Sequence, residues 1–186
     1  MRVLASYAHA GAQIIAAVRI GIPAIVLYRH PDDAVASYLE MVDWRTPPAS
    51  LYRDFDVYYR SIEPYHDAIL PAEFDVCIRD FSVILSRANA KFGARFDVPQ
   101  IDNTFRRNVD AYRDEISRKR VGRVPRYSDR NDPDFRKWRS ERHLVACAQV
   151  ESLVDHPSRI AAMKTYETFK ALDRRMHPQK AKRDIF

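Results

Sequence analysis

The sequence predicts an α/β fold, in which a small parallel sheet is flanked by helices and followed by a mainly helical carboxyl-terminal region. Three observations carry that expectation. Residues 23–28 set Ile25, Val26 and Leu27 in a row between Pro23 and Arg29, the pattern of a strand buried on both faces. Residues 68–74 read as a second strand, made imperfect by Pro71, which cannot donate to a ladder. Around and after these two segments, apolar residues recur at helical spacing.

Taken in order, residues 2–7 suit a short strand, and residues 11–19 suit a small amphipathic helix ended by Gly21. After the strand at 23–28, Pro31 fits the first turn of a helix and Asp32 and Asp33 fit its positive end, so a helix is expected over 31–43, with Thr46, Pro47 and Pro48 stopping it. Leu51, Phe55, Tyr58, Tyr59 and Ile62 form the apolar stripe of a helix over 51–65. Phe81, Ile84, Leu85 and Ala88 do the same over 80–92, where Gly93 suits a left-handed cap. Helices are expected over 104–119, 132–154 and 157–176, with a basic loop before Arg130. The whole reads as a single domain over 1–186, its α/β part in 1–100 and its mainly helical part in 101–186.

Composition narrows the function classes. With 46% hydrophobic and 30% charged residues the chain has the make-up of a soluble globular protein, and no apolar run reaches the ~18 to 20 residues of a membrane span. The apolar stretch over 12–27 is broken by Arg19, Gly21 and Pro23, which makes a poor secretory leader, so a cytoplasmic location is expected. Two cysteines, Cys77 and Cys147, are too few for a disulfide framework and lack metal-ligand spacing, so both read as reduced structural thiols with no metal. The net charge of +6 favours an anionic partner. No helix-turn-helix, zinc or RNP-type signature points to nucleic acid.

The segment that carries chemistry runs from Pro23 to Ser37. Arg29 closes the first strand, and ligands of open α/β sheets gather beyond the carboxyl ends of strands. Its guanidinium fork matches phosphate oxygens, and Ser37, eight residues on, adds a hydroxyl slightly more than one helical turn past Pro31. The competing reading is an Arg that only pairs with Asp32 or Asp33.

On Arg29, Pro31, Asp33, Ser37 and Tyr38 the sequence resembles the sulfotransferase family, whose 3′-phosphate motif follows a strand with Arg, then Pro and a charged pair, then Ser-Tyr. His30 departs from that family's Asn or Asp. Phe74-Asp75, followed nineteen residues later by Gly93, matches the family's next strand end, and the resemblance implies that Phe74 lies against an adenine. His9, twenty residues before Arg29, matches the family's general base, although Tyr7 replaces the Lys of that element. A neutral-pH proton acceptor suits such a role. The family's late basic loop has two candidates, Arg118-Lys119-Arg120 and the 125–130 stretch with Arg126 and Arg130.

The resemblance thus implies a partial P-loop-like sheet and transfer of a sulfuryl group from 3′-phosphoadenosine 5′-phosphosulfate (PAPS) to a hydroxyl or amine. The alternative is a non-catalytic relic that binds a nucleotide or a partner. None of the four glycines, Gly11, Gly21, Gly93 and Gly122, lies in a Gly-rich loop with Lys and Ser or Thr, the element the family uses for the 5′-phosphosulfate. The expectation is therefore a nucleotide-binding chain that transfers sulfate slowly or not at all.

Overall fold

The computed structural model describes residues 7–41, 45–121 and 133–176. Helix α1 (Tyr7–Arg19) leads into strand β1 (Ala24–Tyr28), followed by α2 (Pro31–Met41) and α3 (Pro48–Ile62). A single 3₁₀ turn, Glu63–Tyr65, leads into β2 (Ile69–Glu73). The chain continues through α4 (Phe74–Arg79), α5 (Phe81–Phe92), α6 (Asn103–Val121), α7 (Pro133–Glu151) and α8 (Pro157–Met176).

The two strands pair in parallel, Ala24 opposite Ile69 through Tyr28 opposite Glu73. Alternation along each strand divides its side chains between the two faces. Val26, Tyr28 and Ile69 face the larger core, formed with α1, α2, α3, α7 and α8, and Ile25, Leu70 and Ala72 face a smaller core with Val76, Ile84 and Ala88. Covering both faces is why each strand reads as a continuous apolar run, and this α/β layering is as expected. Leu39, Ile62, Ile69, Leu70, Ile84 and Phe169 are fully buried, each contributing about 1.5 to 3 kcal/mol relative to exposure.

Local chemistry explains most boundaries. Pro48 opens α3 instead of ending α2, because a proline at the first helical position loses no intrahelical bond. Leu51, Tyr52, Phe55, Tyr58, Tyr59 and Ile62 then form its buried stripe. Pro71 is accommodated opposite Val26 in a sheet whose second strand has no further neighbour among the described residues. Asp80 caps α5 by accepting from the Ser82 N–H at 3.1 Å, and Gly93 ends it at φ 61°.

Two expectations are corrected. β2 ends at Glu73 and Phe74 opens the short helix α4, so Phe74 is a helix residue rather than a strand end. Tyr7 is already helical, and the rest of the expected strand over 2–7 lies outside the described residues. α2 is described to Met41, and the last two residues of the helix expected over 31–43 lie outside the described residues. Among the described residues, no helix is long and apolar enough to cross a membrane.

Candidate functional site

β1 delivers its C-terminal end against the start of α2, and α7 packs across α2, leaving a cleft of about 640 Å³ between the two helices. Arg29 and Ser37 both line it. The packing that shapes the cleft is specific. Glu40 of α2 is 4% exposed, and its two carboxylate oxygens accept from Arg139 Nε and from His143 Nδ1, the latter at 3.2 Å. Arg142 donates from Nη2 to the Leu39 carbonyl at 3.0 Å and stacks over Trp138. Ala146 and Val150 of α7 join the larger core and seat the helix.

Arg29 is oriented from two sides. Its guanidinium carbon lies 5.0 Å from the centroid of the Phe74 ring, a cation–π contact that uses the first residue of α4 as a shelf. Its Nε stands 3.8 Å from Asp33 Oδ2, too long for a hydrogen bond, between side chains that are 34% and 53% exposed. A pair that open is worth about 1 kcal/mol or less, so it cannot compete strongly with a phosphate. Nε itself is buried with no hydrogen-bond partner among the described residues. A buried donor without an acceptor costs about 1 to 3 kcal/mol.

The neighbouring carboxylate, Asp32, is committed elsewhere. Arg159 of α8 grips it through Nε at 2.9 Å and Nη2 at 2.7 Å, and the Tyr52 hydroxyl donates to it at 2.6 Å. Burial alone would raise this carboxyl, but those hydrogen bonds outweigh burial and hold it below the usual range. The clamp ties α2 to α3 and α8 beneath the cleft. Behind β1, the buried Tyr28 hydroxyl donates to Asp173 Oδ2 at 2.9 Å, and Arg87 of α5 pairs with Oδ1 at 3.3 Å. That network fixes the strand end from which Arg29 projects.

Of the other expected site residues, Lys119 alone has a described side chain. His9 lies in the first turn of α1, and its side chain is outside the described residues. Lys119 is exposed near the end of α6, where it pairs with Glu115 four residues earlier, and it does not line the cleft. Arg118 sits beside it on α6 with its side chain outside the described residues, as are Arg126 and Arg130 altogether.

From its other side α7 supplies Arg136, Arg139 and His143 to the cleft. Sequence reasoning missed these residues, although their spacing of three and four sets them on one helical face. A polar helical face ordinarily turns to solvent, and only the packing of α7 against α2 turns this one into a wall. The lining is mixed in charge: Asp32, Asp33, Glu40 and Glu151 share it with Arg29, Arg136 and Arg139.

Comparison with known proteins returns no match among family models, curated proteins or solved structures. The fold and the cleft themselves define an α/β chain with an arginine-bearing cleft at the carboxyl end of a parallel strand.

Proposed function

We propose that this cleft is a nucleotide 3′-phosphate seat, and that the chain is a sulfotransferase-like protein whose donor is PAPS. The observation that carries the reading is Arg29. It stands at the carboxyl end of β1, shelved on Phe74, with a buried Nε that lacks a partner among the described residues, in the same cleft as Ser37. The resemblance over Arg29, Pro31, Asp33, Ser37 and Tyr38 supports the same assignment.

In this reading the guanidinium fork takes two oxygens of the 3′-phosphate and displaces the loose contact with Asp33, while Ser37 donates from its hydroxyl. Phe74 holds Arg29 with one ring face, and an adenine would lie against the rest of the ring. His9 would act as the base toward an acceptor hydroxyl or amine. The basic residues Arg118, Lys119, Arg126 and Arg130 would add long-range attraction for the dianion.

The first test is thermal unfolding in the presence of 3′-phosphoadenosine 5′-phosphate. Ligand at about a hundred times its dissociation constant stabilises by about 2.7 kcal/mol, which appears as a clear rise in Tm. The reading expects that rise with the wild type and its loss in Arg29→Ala. No rise with the wild type would contradict it.

A further inference from the structure

We infer that Cys147 is a base-activated thiol, and that the Cys147–His143–Glu40 relay forms a covalent modification site that takes small disulfides. Cys147 Sγ lies 3.5 Å from His143 Nε2, one helical turn back on α7. The opposite ring nitrogen, Nδ1, lies 3.2 Å from Oε2 of the buried Glu40 across the cleft. A carboxylate only accepts, so Nδ1 carries the proton and Nε2 presents its lone pair to the thiol. Glu40 is itself held by Arg139, which keeps the relay in register. A nucleophile, a base in reach and a third group orienting that base are the parts an activated thiol requires.

Access and chemistry agree. Cys147 is a free, partly exposed cysteine, and both it and His143 line the cleft of about 640 Å³. The thiol proton passes from Sγ to Nε2, leaving a thiolate beside an imidazolium. The thiolate attacks one sulfur of the disulfide, so that an Sγ–S bond forms and the original S–S bond breaks. The leaving sulfur departs as a thiolate and takes the proton from His143. One disulfide is exchanged for another, so no outside oxidant enters.

Cys77 provides an internal comparison. It lies on α4, and burial pushes its thiol up, away from the ionised form. The inference rests on the geometry of α2 and α7 alone and is tested on the chain without added nucleotide.

The experiment incubates the full chain with glutathione disulfide at neutral pH and follows the Cys147 and Cys77 peptides by mass spectrometry, with iodoacetamide as a second electrophile. Wild-type Cys147 should form the mixed disulfide well ahead of Cys77. His143→Gln, a substitution at a side chain that is 57% exposed and so tolerated by the fold, should slow Cys147 by about tenfold with both reagents. Equal rates in wild type and variant would overturn the inference. So would a slowing seen with the disulfide alone, because loss of a base must slow attack on both reagents.

Discussion

Arg29 stacks over Phe74, its guanidinium carbon 5.0 Å from the ring centroid, although the two residues belong to different elements 45 positions apart. Parallel pairing of β1 with β2 brings them together, since Tyr28 lies opposite Glu73 and each strand is followed at once by one of the pair. The contact turns a flexible side chain into an aimed one. Replacing the ring by a branched aliphatic, Phe74→Leu, keeps the apolar volume and removes the cation–π term. Nucleotide affinity should fall by about 0.5 to 1 kcal/mol, read by calorimetric titration, with overall stability little changed.

The Asp32 clamp predicts an acid-sensitive fold. A carboxyl held below its usual range by folding contributes stability that is fully present above its unfolded value and is lost as pH falls through the folded one. Wild-type stability should therefore decline below about pH 4. Asp32→Asn should lose about 1.5 to 3 kcal/mol at neutral pH and show a shallower acid limb. Urea unfolding between pH 7 and pH 2 measures both.

The Tyr28–Asp173 hydrogen bond predicts an alkaline counterpart. Burial first, then the Asp173 carboxylate, pushes the Tyr28 phenol above its ordinary range. A group whose affinity for its proton rises on folding stabilises fully below its unfolded value, near pH ~10, and loses that contribution as pH rises further. Tyr28→Phe should cost about 1 to 3 kcal/mol at neutral pH by stripping a donor from a buried carboxylate. Denaturant unfolding at pH 7 and again at pH 10.5 should find the gap between wild type and variant narrower at the higher pH.

Sulfuryl transfer by this chain should be slow or undetectable. In-line positioning and stabilisation of the leaving phosphate are large terms, and losing even one preorganised donor costs about a hundredfold or more. The sequence holds no Gly-rich loop with Lys and Ser or Thr, and Tyr7 stands where a cation would assist His9. A radiolabelled transfer assay with phenol, sugar and lipid acceptors checks this. Robust turnover lost in His9→Ala would show that the base suffices without the loop.

The parts of the site legible in the sequence are those set by local rules. The apolar run before Arg29, the Pro31 helix start and the Gly93 cap each leave a signature within a few residues, and β1, α2 and the end of α5 fall close to where those signatures put them. α4 left none, because six residues from Phe74 to Arg79 are too few to show a helical period against an adjoining strand. The far wall of the cleft was illegible for another reason. Arg136, Arg139 and His143 become site residues only through the seating of Ala146 and Val150 on the core and the burial of Glu40 beneath them, relationships that span about a hundred positions. One of the two basic stretches the sequence offered, around Lys119, sits on a largely exposed helix, where Lys119 pairs with Glu115 four residues earlier.

Calorimetric titration of the wild-type chain with 3′-phosphoadenosine 5′-phosphate and, separately, with adenosine 5′-phosphate isolates the 3′-phosphate, since the two ligands differ only in the group Arg29 is assigned to hold. The 3′-phosphate compound should bind at least about tenfold more tightly, and Arg29→Ala, by deleting a charge-assisted fork, should remove about 2 to 5 kcal/mol of that binding. Arg29→Lys should recover only part, because an ammonium cannot reproduce the fork. Equal affinity for the two nucleotides, or full binding by the lysine variant, would contradict that assignment.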